Sequence, residues 1–173
     1  MLDTIATERL LLRPLKLADA PRVARFTSDI DVARMVSMIP APNPLVAAEG
    51  WILIDKARRP LKRDFVFAVE RPGEGLIGVT GAHLRGTEEV EIGYWFGRPF
   101  WGQGFATEAA RALASAAREL GRVVAGHFID NPASGRVLQK AGFDYTGIVE
   151  PRFSLARKAK VDTRLMALGS RAH

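Results

Sequence analysis

The stretch of this sequence best suited to binding a charged ligand is the glycine-rich turn at residues 102–107, GQGFAT. It follows a short strand of apolar and aromatic residues at 90–97 and opens directly into an alanine-rich helix. Gly102 and Gly104 flank a single residue, which permits backbone angles that other residues resist and leaves N–H groups uncovered. The first N–H groups of a helix have no partner within it, and its dipole is positive at that end. The stretch therefore predicts an anion site, best suited to phosphate.

Two other phosphate-binding motifs do not fit this turn. A P-loop requires Gly-Lys-Ser or Gly-Lys-Thr, and the sequence contains neither. The dinucleotide fingerprint requires Gly or Ala where Thr107 stands, and it lies early in a βαβ unit, whereas this turn follows roughly half of the chain. A tight turn that needs glycine only for its shape is the structural alternative.

The elements around the turn are predicted to form a parallel pair of strands. Residues 90–97 form the first strand, 107–120 the helix and 123–129 the second strand. A strand–helix–strand order places the two strands side by side through a right-handed crossover. Gly93 predicts a bulge that bends the first strand away from its partner, so the pair is expected to splay.

The rest of the chain predicts further strands and helices, with no linker to divide it. The expected elements are helices at 19–27, 29–37, 47–57 and 131–140, strands at 9–13, 65–69, 76–84, 142–149 and 161–168, a proline-rich loop at 38–44 and a basic loop at 152–160. In the helix at 47–57, Trp51, Leu53 and Ile54 are placed toward one side. We expect one α/β domain over residues 1–173, with a mixed, mostly antiparallel sheet of about seven strands, a splayed parallel pair and helices on both faces.

Composition limits the classes of function. The 173 residues carry a formal net charge of +6, which suits a polyanionic partner. They contain no cysteine, so disulfides and thiol catalysis are excluded. No apolar run approaches the 18 residues of a membrane helix, so we expect a cytoplasmic protein without a membrane partner.

The histidines and the aromatic residues show no pattern that needs a metal or a nucleic acid. His83, His127 and His173 lack metal-binding spacing, so we expect no metal and interpret the first two as core or rim residues. The aromatic residues between 95 and 101 are not interleaved with Arg and Lys as in a base-stacking surface. Core or pocket lining is the better interpretation, and we expect no nucleic-acid partner.

Three stretches resemble a single family. Residues 101–109, WGQGFATEA, are similar to the pyrophosphate loop of the GCN5-related N-acetyltransferases, in the branch that includes the ribosomal-protein N-terminal acetyltransferases. Residues 131–143, NPASGRVLQKAGF, resemble the next motif of this family, and residues 7–14, TERLLLRP, resemble its first strand. Trp101 stands where the general pattern has Gln or Arg, as is common in that branch. The resemblance is strongest over residues 90–143.

This resemblance implies an acetyl-CoA site. Asn131 is implied to hydrogen-bond the pantetheine arm or to hold the helix that does, and its structural alternative is a helix N-cap. Backbone groups of Phe96 and Gly97 are implied to bond pantetheine as an added strand would. The pyrophosphate is implied to lie on the backbone N–H groups of Gly102, Gln103, Gly104, Phe105, Ala106 and Thr107.

The resemblance also implies transfer of an acetyl group to a primary amine by direct attack. Glu91 resembles the family glutamate that accepts the proton of the amine, usually through water, although a carboxylate paired with a basic neighbour is the alternative. Leu138 replaces the tyrosine that many members use as a proton donor to the CoA thiolate. Ser134 stands where a serine is the suggested donor in the ribosomal branch, and a hydroxyl satisfied by local backbone is its alternative.

Sequence alone leaves the acceptor open between a protein N-terminus, an amino sugar, a polyamine and an antibiotic amine. The acyl-chain preference and the choice between monomer and homodimer are open as well. The competing class is a non-catalytic acyl-CoA-binding or regulatory module on the same fold.

Overall fold

The computed structural model describes residues 3–169, which form one eight-stranded sheet in the order β1-β2-β3-β4-β5-β6-β8-β7. The strands are β1 (Ile5–Ala6), β2 (Leu11–Pro14), β3 (Asp64–Arg71), β4 (Gly75–Arg85), β5 (Glu89–Phe96), β6 (Arg122–Phe128), β7 (Phe143–Ser154) and β8 (Ala159–Leu168). Within the described residues only β5 and β6 pair in parallel. The predicted class is confirmed, and the expected count of about seven strands becomes eight because β1 adds a short edge strand.

Residues 3–169 include five α-helices. They are α1 (Ala20–Thr27), α2 (Ile30–Ala33), α3 (Leu45–Arg58), α4 (Phe105–Ala117) and α5 (Pro132–Lys140). Helices α1 and α3 contact each other, and they reach β4 and β3 respectively, whereas α4 contacts β4 and β5 and α5 contacts β6 and β7. Four short 3₁₀ turns, at Leu17–Asp19, Arg59–Leu61, Arg98–Phe100 and Arg118–Leu120, lie at or between the ends of these elements.

Helix α4 shows how the sequence produces a close helix–sheet contact. Its buried side is made mostly of alanine, with Leu113 as the one large aliphatic residue among Ala109, Ala110, Ala114 and Ala117. Small side chains let the helix lie close to the sheet, and alanine has the highest intrinsic helix propensity. Gly121, at φ 149°, follows the final 3₁₀ turn, and an added Cβ there would lie 2.5 Å from the carbonyl of Glu88.

Three predicted elements differ from the structure. Helix α3 buries Ala48, Ile52 and Asp55, whereas the residues predicted toward one side, Trp51, Leu53 and Ile54, are exposed. Helix α2 ends well before Ser37. The predicted basic loop at 152–160 is mostly strand, because β7 and β8 extend to a tight turn at residues 155–158. Charged residues can alternate along a strand edge, which is why basic composition alone did not identify a loop.

The parallel pair opens after a short ladder. Its register runs from Glu89 opposite Arg122 to Ile92 opposite Ala125, after which β5 stays paired with β4 and β6 with β8. The predicted splay is therefore confirmed. The predicted bulge at Gly93 is wrong, because the β4–β5 register continues without a shift through this residue. The two strands separate because each follows its other neighbour in the sheet.

Candidate active site

A cavity of about 1170 Å³ lies along the opening between β5 and β6. Its walls come from α1, the segment after α2, α3, the ends of β3 to β6, the 102–107 turn and α5. Nine of the predicted site residues line it: Glu91, Phe96, Gly102, Gly104, Phe105, Ala106, Thr107, Asn131 and Ser134. Gly97 and Gln103 are absent from its lining. Residues that are distant in the sequence thus meet around one space.

The turn at 102–107 has the geometry of an anion site. Gly102 and Gly104 have φ values of 72° and 82°, in the left-handed region, and Gly104 is the N-cap of α4. Within residues 3–169, no backbone or side-chain group accepts a hydrogen bond from the N–H groups of residues 102–107. The first intrahelical bond comes only from the Glu108 N–H to the Gly104 carbonyl at 3.0 Å. A run of bare N–H groups at the positive end of a helix fits a pyrophosphate.

Arg9 holds this turn from its outer side. Its Nη1 donates to the Gln103 carbonyl at 3.0 Å, and its Nε pairs with the Glu108 carboxylate at 2.7 Å. Thr7 donates to the same carboxylate at 2.6 Å. Burial tends to raise the pKa of Glu108, but the hydrogen bonds from Thr7 and Arg9 outweigh it and lower that pKa. The turn is therefore fixed by contacts that leave its N–H groups uncovered.

The side chain of Gln103 points away from the cavity. Its Nε2 donates to the Pro99 carbonyl at 2.8 Å, which closes the turn on itself. The contribution of Gln103 to a ligand would therefore come from its backbone N–H, and this contribution stays a prediction.

Gly97 does not offer the backbone groups that were predicted for it. Its N–H donates to the Ile77 carbonyl at 3.0 Å, and its own carbonyl accepts from Phe100 at 2.9 Å. Gly97 is required for packing, because an added Cβ would lie 2.6 Å from the Phe26 ring. Successive residues of a strand direct their backbone groups to opposite edges, so Phe96 directs its groups toward the opening. The Phe96 carbonyl there accepts a hydrogen bond from the Trp101 indole at 2.7 Å.

Asn131 and Ser134 form the start of α5. The Asn131 side chain accepts a hydrogen bond from the Ser134 N–H at 3.2 Å, so Asn131 acts as an N-cap. The Ser134 hydroxyl lies 2.9 Å from the Tyr94 hydroxyl, which also donates to the Ser134 carbonyl at 3.2 Å. Burial raises the pKa of Tyr94, and the hydrogen bond with Ser134 offsets this only in part. Tyr94 therefore stays protonated, and its single proton is directed to the carbonyl or to the hydroxyl of Ser134.

Tyr94 is a site residue that the sequence did not reveal. Leu138, at the position of the family tyrosine, is 1% exposed and belongs to the core. Tyr94 brings a phenol to the same helix from β5 instead. The alternation of side chains along β5 could have pointed to Tyr94, because it shares a face of the strand with Ile92 and Phe96, both of which also line the cavity.

Glu91 is engaged by two arginines. One carboxylate oxygen pairs with Nη1 of Arg152 on β7, and the other lies 2.9 Å from Nε of Arg85. Burial alone would raise the pKa of Glu91, but the hydrogen bonds and charges of Arg152 and Arg85 together lower it. A carboxylate in this state is a weak proton acceptor. The arrangement matches the alternative that the sequence left open, a carboxylate paired with basic neighbours.

Polar side chains on α3, β3 and β4 line the far end of the cavity. Nδ1 of His83 lies 2.7 Å from the Asp64 carboxylate. Asp55 is only 6% exposed, and burial raises its pKa; Arg59 and His83 act against that rise and Asp64 adds to it. Sequence reasoning did not select Asp55 or Asp64, because nothing in their local sequence marks them.

The other two histidines are not site candidates. His127 is buried, with its ring nitrogens against the Phe128 carbonyl at 2.8 Å and the Tyr145 hydroxyl at 3.0 Å, which confirms its interpretation as a core residue. His173 lies outside the described residues. No group of three or more His, Asp or Glu side chains in the described range is arranged to hold a metal ion.

A turn of bare N–H groups at a helix start, beside an opening between parallel strands, suits a transferase whose donor carries a diphosphate, as an acyl-CoA does. The GNAT acetyltransferase domain profile matches residues 9–144, and the chain belongs to this family. The protein is thus an acyltransferase, an acetyl-CoA-dependent N-acetyltransferase. The alternative of a non-catalytic acyl-CoA-binding or regulatory module is therefore rejected. No helix among residues 3–169 combines the length and the apolar character needed to span a membrane.

Individual relatives agree with this assignment. The chain is 26% identical to the uncharacterised N-acetyltransferase p20 of Bacillus licheniformis over 177 aligned positions, which cover 99% of each chain. It is 31% identical over 155 positions to the uncharacterised N-acetyltransferase YoaA of Bacillus subtilis, covering 86% of this chain and 87% of the relative.

Solved structures show the same fold. A GNAT-family acetyltransferase of Bacillus anthracis superposes with a TM-score of 0.81 at 25% identity and covers 95% of this chain and 97% of its own. RimJ of Mycobacterium smegmatis, in complex with CoA-disulfide, superposes with a TM-score of 0.83 at 24% identity, covering 96% and 87%.

Proposed function

We propose that this enzyme transfers the acetyl group of acetyl-CoA directly to a primary amine held at the far end of the cavity. The observation that carries the proposal is the run of bare backbone N–H groups at residues 102–107, next to an opening between parallel strands. Acetyl-CoA supplies an acyl group already activated as a thioester. With no cysteine in the sequence, no acyl-cysteine can form, which favours direct attack.

The turn at 102–107 holds the pyrophosphate, and the opening admits the pantetheine arm. Phe96 directs its backbone N–H and the free side of its carbonyl toward this opening. Both backbone groups of Gly97 are already hydrogen-bonded within the protein. Asn131 acts indirectly, because its side chain caps α5 and sets the position of Ser134. Most of the rate enhancement is expected to come from holding acetyl-CoA and the amine close together in the orientation that the reaction requires.

Ser134 is the proposed proton donor to the departing thiolate. Its hydroxyl lines the cavity and lies 2.9 Å from the Tyr94 hydroxyl, and either of these two oxygens can be the donor of the hydrogen bond between them. The demand on this donor is modest, since a thiol of pKa about 8.5 leaves readily as its anion. Glu91 as the proton acceptor from the amine stays a prediction, weakened by its two arginine partners.

The acceptor is proposed to be a protein N-terminus or a small-molecule amine. Neighbours in fold include a RimL enzyme described as a ribosomal L7/L12 alpha-N-protein acetyltransferase and the microcin C7 self-immunity acetyltransferase MccE, in complex with acetyl-CoA and AMP. These likenesses, at 18% and 17% identity, concern the fold alone. Membership of the ribosomal N-acetyltransferase branch is therefore part of the proposal.

The function is tested by thiol release from acetyl-CoA against a panel of amines and N-terminal peptides. The wild-type protein is expected to release CoA with at least one acceptor and to bind CoA in calorimetry. Gly104→Val is expected to weaken CoA binding by ~100-fold or more, because a branched side chain at φ 82° distorts the turn and covers its N–H groups.

Gly73→Val is the matched control for that substitution. Gly73 has φ 80° in the β3–β4 turn, outside the cavity lining, so it carries the same backbone strain without touching the site. Equal loss of CoA binding in both variants, or tight binding by Gly104→Val, would show that residues 102–107 do not hold the pyrophosphate.

A further inference from the structure

A row of polar side chains crosses the sheet at the acceptor end of the cavity. The register places Asp64 of β3 opposite His83 of β4, and His83 opposite Glu91 of β5. Directly opposite side chains in antiparallel strands lie on the same face. Neighbouring strands are ~4.8 Å apart, so the row spans ~10 Å and ends at the strand that borders the opening. All three residues line the cavity.

Asp64 orients the ring of His83. The 2.7 Å contact joins Nδ1 to the carboxylate, so Nδ1 carries the hydrogen and donates it. The lone pair of a neutral imidazole then lies on Nε2, which is the nitrogen that can accept a proton. The side chains of His83 and Asp64 are 31% and 40% exposed, and this exposure is toward the cavity that both line.

Two glycines on neighbouring strands lie beside Nε2 of His83. An added Cβ on Gly81 would lie 2.8 Å from Nε2, so the ring lies directly over this residue. Gly81 is opposite Gly93 of β5, where an added Cβ would meet nothing within 4 Å. The parallel ladder ends at Ile92, one residue before Gly93. The His83 ring thus covers Gly81, and the open space over Gly93 lies between this ring and the opening.

The region around His83 contains charged groups from four elements. Asp55 of α3 is buried, and within residues 3–169 its carboxylate accepts no hydrogen bond although it lines the same cavity. Glu91 is already neutralised by its two arginines. The ionisable groups that face or neighbour the imidazole are Asp64 from β3, Asp55, Arg58 and Arg59 from α3 and its end, Arg85 from β4 and Glu91 from β5.

We propose that His83, oriented by Asp64, is the catalytic base that accepts the proton of the acceptor amine, which is held over Gly93 beside the imidazole ring. This assignment rests on the proposed acetyl transfer. In the step, the amine nitrogen forms the new bond to the acetyl carbon while the carbon–sulfur bond breaks. The proton of the amine goes to Nε2 of His83, and the departing sulfur takes a proton from Ser134. His83 afterwards returns its proton to solvent, and Ser134 takes up a proton from solvent in place of the one that it gave to sulfur.

His83→Asn tests the assignment. The asparagine amide can still donate to Asp64 from near the Nδ1 position, but it has no group where Nε2 lies. Thiol release is measured from pH 5.5 to 9.5 with the best amine from the panel. We expect kcat/KM to fall by ~100-fold and the shape of the pH profile to change. The Kd of CoA and the thermal midpoint are expected to stay unchanged.

Asp64→Asn tests the positioning role with a second variant. It keeps the shape of the side chain and removes the charge, so we expect an intermediate loss of ~10-fold in kcat and a changed pH profile. Glu89→Gln is the matched control, because it removes another cross-strand pair, with Arg122 at 2.9 Å, that lies outside the cavity lining. This control is expected to leave kcat and the pH profile unchanged.

The outcomes separate the two proposals. If the wild-type protein releases CoA and His83→Asn retains its rate within ~3-fold with the same pH profile, His83 is not the base and acetyl transfer stands. If the wild-type protein releases no CoA with any amine, the proposed acetyl transfer fails and this assignment fails with it.

Discussion

The two ends of the cavity are built by opposite means. The cofactor end depends on six consecutive residues at 102–107, and its chemistry comes from backbone N–H groups. The acceptor end combines Asp55, Asp64, His83 and Glu91 with Arg152, which come from one helix and four strands. Its chemistry comes from side chains that touch one another. A backbone site depends on local conformation, whereas a side-chain site depends on the register of the whole sheet.

This difference predicts different sensitivities. The cofactor end should tolerate changes of charge and fail when a glycine acquires a side chain. The acceptor end should tolerate small changes of shape and respond to pH and to the loss of single charges. The three substitutions below would sharpen or break this contrast.

Ser134→Ala is expected to have the largest effect of the three, a fall in kcat of ~10- to 100-fold. Ser134 belongs to the cofactor side, so the loss should be similar at every pH, unlike that of His83→Asn. Its backbone N–H still bonds to Asn131, so the helix start and the affinity for CoA should persist. Single-turnover thiol release at several pH values measures this.

Ser115→Ala serves as its control, because Ser115 is exposed on α4. Full activity of Ser134→Ala would remove Ser134 from the mechanism. A loss confined to one side of the pH profile would break the contrast between the two ends.

Glu91→Gln should affect stability at least as much as rate. Removing this carboxylate leaves the partly buried Arg152 without its main partner, which is expected to lower the free energy of unfolding by ~1–2 kcal/mol at pH 7. The folded-state pKa of Glu91 is lowered, so its stabilising contribution is present above the unfolded pKa and lost as pH falls through the folded value. The difference between wild type and variant in urea denaturation should therefore shrink below about pH 4.

The rate of Glu91→Gln is expected to fall less than ~10-fold. Glu74→Gln, in an exposed pair with Arg71 at 2.9 Å, is the stability control and should cost less than ~0.5 kcal/mol. A loss of rate above ~100-fold, concentrated at low pH, would restore Glu91 as the base and count against His83.

Asp55→Asn is expected to have the smallest effect, an increase in Tm of ~2 °C at pH 7. Burial raises the pKa of Asp55, so its ionised form destabilises the fold above the folded-state pKa. The gain should vanish at about pH 4 and below, where the carboxyl of wild type is protonated as well. Calorimetry at pH 7 and at low pH measures it.

Asp162→Asn, at an exposed position on β8, should leave Tm unchanged at both pH values. A lower Tm for Asp55→Asn at pH 7 would show that the charge of Asp55 stabilises the fold, contrary to the burial argument.

Local features explain what the sequence predicted well. The glycines of the turn, the N-cap at Asn131 and the crossover between β5 and β6 each depend on a few neighbouring residues, and all three are present in the structure. The prediction of a bulge at Gly93 was wrong because a glycine within a strand is compatible with regular pairing. The three apolar residues predicted toward one side of α3 are not its packed residues, and two of them, Trp51 and Ile54, line the cavity, a location that periodicity does not reveal.

By itself, the sequence determined that residues 102–107 present bare N–H groups at a helix start, because glycine conformation and helix polarity are local properties of the chain. The tertiary structure alone decided that Arg152 neutralises Glu91, 61 positions away, and that Tyr94 meets Ser134. It also decided that Asp64 faces His83 across two strands. These contacts depend on strand register, and a shift of one residue would turn each side chain to the other face of the sheet.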